Sequence, residues 1–364
     1  MTTHLAAGLW HCAPPPAGAE QVAQILHAQG LDVSDVRVLD DRHADRPVFR
    51  ARIVAGGLTG NGDSADVVIK YHGTAAAEAH EVSRRLWAGP LGPGRTAGDG
   101  TGETAAGDAA GVPCPIAVAA PSGLVITGFV PGPPAGRRGV PADPALTAAA
   151  AHLLARLHRT PVPSVSPAGR AVVPGPGATR GPWRVRDHRG ILRSLWRKVS
   201  DLVPRDEATA SRLGVVVALL DRGLALRPVH DEPLVITHGD FSPRNVLLGP
   251  DGPVLIDVDR VRISLPGRDL AYWGAWDWAT RAMAGEQPSW RVADDLVSAY
   301  RRAAPEMAVA EVSDVEATMA LHRVAALVRI AHGWSALREP QNAPVREWIV
   351  AEALRWARRV DLGG

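Results

Sequence analysis

The segment VITHGDFSPRNVLLGPDGPVLIDVDR, Val235 to Arg260, interleaves short apolar runs with a histidine, an asparagine and several aspartates. The run Leu-Val-Ile at 234–236 reads as a strand that ends at His238-Gly239-Asp240. Val-Leu-Leu at 246–248 and Val-Leu-Ile at 254–256 flank Gly-Pro-Asp-Gly, a turn signal of hairpin length. Folding that hairpin with Leu248 opposite Pro253 sets Asn245 opposite Ile256, next to Asp257. Cross-strand spacing then brings the two polar side chains within about 5–7 Å at the open end. The chain arrives there from Asp240, so the apolar runs deliver Asp240, Asn245 and Asp257 to one place. Such a cluster repels itself and is costly to desolvate without a cation. A hard divalent ion suits carboxylate and amide oxygens, and phosphate can complete its shell. No cysteine cluster stands nearby for a softer metal.

Upstream, 36–70 reads as strands ending in Val-Val-Ile-Lys70, and 74–89 reads as a helix with Glu78, Val82 and Leu86 on one stripe. Residues 89–111 are low-complexity and are expected to form a mobile loop. Two strands follow around Pro-Ser-Gly, then Pro-Gly-Pro-Pro-Ala-Gly-Arg-Arg-Gly, 131–139, reads as a linker. From 140 onward the pattern is mainly helical, apart from a Pro-rich loop over 161–182 and the hairpin itself. The expected organisation is an N-terminal lobe over 1–130, a linker over 131–139 and a helical lobe over 140–364.

Composition narrows the function. Of 364 residues, 46% are hydrophobic, enough for a sizeable core. A formal charge of +2 lacks the concentrated basic excess of a nucleic-acid binder. No apolar run approaches the roughly 20 residues that span a bilayer, and Met1 to Pro16 carries neither the basic start nor the apolar core of a secretory leader. Two cysteines, Cys12 and Cys114, give no disulfide framework, so a cytoplasmic protein is expected. Of the 40 basic residues only Lys70 and Lys198 are lysine. Lysine is a compact point charge where arginine is a planar fork, so each lysine stands out against that background.

The spacing in His-Gly-Asp-Phe-Ser-Pro-Arg-Asn, where Asp240 precedes Asn245 by five positions, matches the kinase catalytic loop. With Leu-Ile-Asp-Val-Asp at 255–259 and Gly-Arg-Asp-Leu-Ala-Tyr-Trp at 267–273, the sequence resembles the aminoglycoside phosphotransferase and choline kinase-like family. The likeness runs from about 36 to 300, with Val-Val-Ile-Lys resembling the ATP-lysine strand and Leu-Leu-Ala-Arg-Leu-His-Arg-Thr-Pro a helix of the C-terminal lobe. It implies an α+β, two-lobed, protein-kinase-like fold with a small antiparallel-sheet N-terminal lobe and a larger helical C-terminal lobe. It implies transfer of the γ-phosphate of ATP to a hydroxyl of a small molecule: an aminoglycoside or other antibiotic, an amino alcohol or a sugar. By position, Asp240 becomes the catalytic base, and Asn245 and Asp257 the Mg²⁺ ligands. Lys70 binds the α- and β-phosphates and pairs with Glu78, with Glu81 as rival. Thr127, Gly128, Phe129 and Val130 form the adenine hinge. His238, Asp259 and Asp269 support the loop, Asp259 being equally a second metal contact. The chain departs from the family where a glycine-rich phosphate loop would stand, because 40–49 reads Asp-Asp-Arg-His-Ala-Asp-Arg-Pro-Val-Phe.

Two other function classes fit parts of the pattern. His238-x-Asp240 and Asp257-x-Asp259 could make the dinuclear centre of a phosphoester hydrolase, and the absent glycine loop suits a nucleotide-binding pseudokinase. Trp273, Trp276 and Trp278 read as core rather than as a ligand wall, and Asp277, Asp294 and Asp295 as solvated helix acids. His152, His158 and His322 sit in helical patterns and call for no special role.

Overall fold

The computed structural model describes residues 14–40, 47–54, 64–93, 111–137, 140–144, 146–162, 170–172, 180–226, 233–307, 312–336 and 343–362. They form two compact units: Met1–Ala88 with Val112–Pro131, and Gly89–Gly111 with Gly132–Gly364.

The first unit contains α1 (Ala19–Ala28), β1 (Val33–Asp40), β2 (Val48–Ile53), β3 (Ala65–Tyr71), α2 (Ala76–Ala88), β4 (Pro115–Ala119) and β5 (Leu124–Gly128). The five strands pair antiparallel in the order β1-β2-β3-β5-β4. Successive strand residues face opposite sides. Phe49, Ala51, Ile53, Val67 and Ile69 therefore pack in one core with Val22 and Leu26 of α1, while Arg50, Arg52, Asp66 and Lys70 share the other face. The sequence reading did not anticipate α1.

The second unit contains α3 (Leu146–His158), β6 (Arg170–Val172), β7 (Arg180–Arg186), α4 (His188–Leu202), α5 (Glu207–Leu226), β8 (Val235–Thr237), β9 (Val246–Gly249), β10 (Gly252–Leu255), β11 (Arg262–Ser264), α6 (Gly267–Met283), α7 (Arg291–Ala303), α8 (Val312–Ala336) and α9 (Ala343–Leu362). Helix α6 is buried on all sides, as a helix whose apolar residues surround its axis must be. It packs on α7, α8 and α9, while α4 packs on α5 and α8. Trp273, Trp276 and Trp278 are core residues of α6. Asp277 is buried beside them and bonds Arg281 at 2.9 Å, which corrects its reading as a solvated acid.

Three expectations change. The Pro-rich stretch carries β6 and the start of β7, which join β11 and β8 in a four-stranded sheet of order β6-β7-β11-β8. The residues expected to link the lobes are docked: Leu248 N–H donates to Pro133 O at 2.9 Å and Ala135 N–H to Val246 O at 2.7 Å, extending the edge of β9. A side chain at Gly132, where φ is 135°, would meet Leu248 O, so only glycine lets the backbone approach so closely. Finally, the described ends of the 89–111 stretch, 89–93 and 111, group with the helical unit rather than with the sheet. Leu91 is fully buried there, and Arg156 Nε donates to Pro90 O at 3.0 Å. The body of the expected mobile loop, 94–110, lies outside the described residues.

Candidate active site

Strand β8 ends at His238, and β9 begins just after Asn245, so strand geometry holds the loop between them at both ends. Its N-terminal half hangs on Asp269, in the first turn of α6 and fully buried. The Asp269 carboxylate accepts from His238 N–H at 2.6 Å and from Gly239 N–H at 2.9 Å. Behind it, His158 of α3 lies 3.5 Å from Asp269 and 2.8 Å from the Tyr300 hydroxyl of α7. Burial by itself raises the Asp269 carboxyl, but the hydrogen bond and field of His158 and the fields of His238 and Arg268 outweigh it and hold it low. His158 therefore has a role that its helical setting concealed: it completes a buried polar chain from α7 to the loop.

The His238 ring ties the loop to the hairpin. Nδ1 accepts from Asp240 N–H at 3.2 Å, so Nε2 carries the proton and donates to Ile256 O at 2.9 Å. Gly239 has φ of 75°, and a side chain there would meet Arg260 O at 2.5 Å. On the other side Asn245 Nδ2 donates to Asp240 O at 2.8 Å, which commits the nitrogen of that amide and leaves Oδ1 as its acceptor atom. The hairpin pairs Pro253 with Leu248 and Leu255 with Val246, and Ile256 N–H donates to Asn245 O at 2.9 Å. This is the register read from the sequence, and it puts Asn245 beside Ile256 and Asp257. Asp257 has φ of 62° and ψ of 50°, left-handed geometry that a non-glycine residue adopts at a cost of order 1 kcal/mol. Asp259 follows in the single 3₁₀ turn Val258–Arg260 and is exposed.

Asp240 is the most heavily charged point of the loop. Its side chain is 3% exposed, and Arg329 of α8 lies 3.0 Å from Oδ1. Arg244 donates to Oδ2 at 3.2 Å, and Arg260 lies 3.8 Å from the same oxygen. The Arg329 contact is an ion pair rather than an aligned hydrogen bond, so Oδ1 keeps acceptor capacity. Burial by itself raises the Asp240 carboxyl; Arg329, Arg244, Arg260 and His238 together hold it well below the usual carboxylate range. Arg329 also donates to Gly239 O and stacks over Tyr272 at 4.3 Å. The sequence reading missed Arg329, because nothing in its helical pattern marks one arginine among many.

In the sheet unit, Lys70 pairs with Val48 and Val125 across β3's neighbours. Among the described residues neither expected glutamate is paired with Lys70. The buried face of α2 runs through Ala76, Val82, Ser83 and Leu86, which leaves Glu78 exposed at its margin and without an ion pair among the described residues. Glu81 is engaged by Arg85 at 2.7 Å and Arg84 at 3.2 Å. Thr127 and Gly128 close β5, Gly128 N–H donates to Cys114 O at 2.8 Å, and Phe129 N–H donates to Asp66 O at 3.0 Å. Arg50 lies over the Phe129 ring at 3.8 Å, and Val130 ends the segment half-buried. Of the position of the missing glycine loop, 40–49, residues 41–46 lie outside the described residues.

A family model described as the phosphotransferase enzyme family matches residues 103–309, more than half of the chain. The chain belongs to the phosphotransferase enzyme family. The match contains the whole loop, the hairpin and Asp269. Solved structures share the fold. Choline kinase from Cryptosporidium parvum Iowa II is 14% identical, with a TM-score of 0.57 and 90% of each chain covered. Macrolide 2′-phosphotransferase from Brachybacterium faecium is 16% identical, with a TM-score of 0.53, covering 93% of this chain and 98% of that one. A spectinomycin phosphotransferase in complex with ADP and spectinomycin is 14% identical, with a TM-score of 0.51, covering 95% and 99%. No curated protein sequence matches the chain. This phosphotransferase therefore has the protein-kinase-like α+β fold of the small-molecule kinases, and it is an enzyme of that kind.

Proposed function

We propose that this phosphotransferase transfers the γ-phosphoryl group of ATP to a hydroxyl of a small molecule, with Mg²⁺ as cofactor. The observation that carries the reading is the immobilised loop: Asp269, His238 and Asn245 fix the backbone on both sides of Asp240, and three arginines keep its carboxylate charged. Phosphoryl transfer needs positioning and charge balance more than covalent help. In the proposed step the acceptor oxygen bonds to the γ-phosphorus as the bond from that phosphorus to the β,γ-bridging oxygen breaks. Asp240 accepts a hydrogen bond from the acceptor hydroxyl and orients it. So strongly held a carboxylate is a weak proton acceptor in the ground state, so the proton moves only as the new bond forms and the hydroxyl acidifies.

The donor set fits a hard divalent ion. Asn245 offers an amide oxygen because its nitrogen is committed, and Asp257 offers a carboxylate from a backbone conformation that would otherwise be unfavourable. Mg²⁺ bound there would offset charge building on the transferring phosphoryl group. Lys70 is the proposed ligand of the α- and β-phosphates, and Thr127 to Val130 the proposed adenine edge. Asp259 is exposed and is left as an outer contact. The hydrolase reading loses His238 as a ligand, because its ring nitrogens are engaged by Asp240 N–H and Ile256 O. The pseudokinase reading rested on the absent glycine loop at 40–49, of which 41–46 lie outside the described residues.

The test is a nucleotide-consumption screen against hydroxylated antibiotics, amino alcohols, sugars and their acidic derivatives, with Asp240→Asn as the blank. Turnover in the wild type that vanishes in the variant supports the reading. Equal turnover in both sinks it.

A further inference from the structure

The helical unit contains a cavity of about 210 Å³ whose wall carries Arg186, Lys198, Arg260, Arg262, Arg268 and Arg329 and not one carboxylate. Two of these cations, Arg260 and Arg329, also touch Asp240, so the cavity opens beside the proposed point of hydroxyl attack. The others come from two stretches of chain, β7 with α4 and β11 with α6. Lys198, Arg262 and Arg268 make no ion pair among the described residues, and Arg268 Nη1 is buried without a hydrogen-bond partner. Asp240 answers Arg260 and Arg329, and a second buried acid, Asp269, is already committed to two loop amides.

We propose that this cavity binds an anionic group, phosphate or carboxylate, carried by the acceptor itself, so that the substrate is a small hydroxylated acid. The inference deepens the kinase reading and rests on it for the role of Asp240.

Gathering six cations around one cavity, with Asp240 answering only Arg260 and Arg329 and with Lys198, Arg262 and Arg268 in no ion pair among the described residues, is unfavourable in the empty protein. Burial first, then Arg329, Arg260 and Arg186, push the Lys198 ammonium down to about 8, with Asp201 opposing. Burial and the neighbouring guanidinium groups likewise push Arg268 down. Such a cost is retained where an anion relieves it, since charge-assisted bonds from guanidinium groups to phosphate or carboxylate are the strongest of their kind. A cationic antibiotic or amino alcohol would add to the repulsion. The volume lies below the roughly 300–1,000 Å³ of sites for drug-sized ligands, which fits a compact acid. The nucleotide is the other source of anionic groups. The residues proposed for it, Lys70, the 127–130 segment, Asn245 and Asp257, are not in this wall.

Two measurements on the full chain separate the outcomes. The first is calorimetry with inorganic phosphate and no nucleotide. Phosphate is expected to bind, and Arg262→Gln and Arg268→Gln each to weaken it about tenfold or more, the scale of one charge-assisted bond. Should Arg268→Gln fail to fold, Lys198→Met carries the same prediction. The second is turnover of a matched series: glycerol 3-phosphate, glycerol and 3-amino-1,2-propanediol. The phosphate member is expected to be preferred, and the variants to raise its KM while leaving the KM for ATP unchanged. No phosphate binding, binding unchanged in the variants, preference for the amine, or a raised KM for ATP alone would each overturn the proposal. Phosphate binding that the variants abolish, with no turnover of any compound, upholds the anion site and counts against the kinase reading alone.

Discussion

Asp66 in the sheet unit and Asp240 in the helical unit are both clasped by arginines, and they behave differently. Asp66 bonds Arg50 at 2.5 Å and Arg52 at 3.2 Å, all three partly exposed on a strand face. Each charge there has a partner, and water is at hand. Asp240 is buried, its arginines come from a turn, a second turn and a distant helix, and one of its oxygens keeps acceptor capacity. Around it stand Lys198, Arg262 and Arg268, which make no ion pair among the described residues. The contrast teaches that an arginine-bound aspartate is not in itself a site. Completed pairs near water describe a surface, whereas buried, incompletely satisfied charge describes a place prepared for something else.

The sharpest way to break that contrast is to neutralise each carboxylate. Asp240→Asn is expected to lower kcat by about 10² to 10⁴, the scale of a positioned acid–base group. A change of only a few-fold, measured at saturating acceptor, would make Asp240 as structural as Asp66. Next in size is the brace behind the loop. Asp269→Ala leaves two buried amides and His158 without their partner. It is expected to cost about 3–5 kcal/mol in urea unfolding; a loss below about 1 kcal/mol would mean that the loop stands without it.

A smaller effect sharpens the comparison through pH. Lys198 faces Asp201 on its own helix, Arg186 from β7, Arg260 from the 3₁₀ turn, and Arg329 and His332 from α8. Its folded-state value, about 8, lies below the ordinary lysine value, so its charge is present below that pH and fades as pH rises through it. KM for an acidic acceptor is therefore expected to rise a few-fold above about pH 8, and Lys198→Met to flatten that limb. A limb that survives in Lys198→Met belongs to another group.

The smallest effect is expected at Asp66. Asp66→Asn should cost no more than about 1 kcal/mol, as for an exposed pair, and leave kcat unaltered. The hydrogen bond from Arg50, ahead of the other contributions, holds the folded Asp66 carboxyl below its ordinary value. Its stabilisation is thus complete above the unfolded carboxylate value of about 4 and is lost as pH falls through the folded one. Acid unfolding of the variant should accordingly begin no earlier than in the wild type once the difference at neutral pH is subtracted.

The loop and hairpin were legible because their logic is local. Leu248 meets Pro253 as the turn length demanded, and a period of two then fixes where Asn245 stands. Helix phase was less legible. Glu78 shares a stripe with Val82 and Leu86 in the sequence, yet the packed face of α2 centres nearer Ser83 and leaves Glu78 at the edge. His158 looked like one more histidine in an amphipathic helix until Tyr300 and Asp269 closed around it. The 131–137 segment looked like a tether because proline and glycine suit a linker, but an open edge on β9 gave its carbonyls and amides partners.

By itself the sequence determined the strand-then-helix order, the hairpin register and the spacing of Asp240, Asn245 and Asp257. Those follow from steric periods acting over a few residues. Only the tertiary structure decided which arginines meet Asp240 and which surround the cavity beside it. Arg329 reaches Gly239 across 90 residues of chain, and in a protein so rich in arginine no local pattern distinguishes the one that folding brings to the site from those it leaves in water.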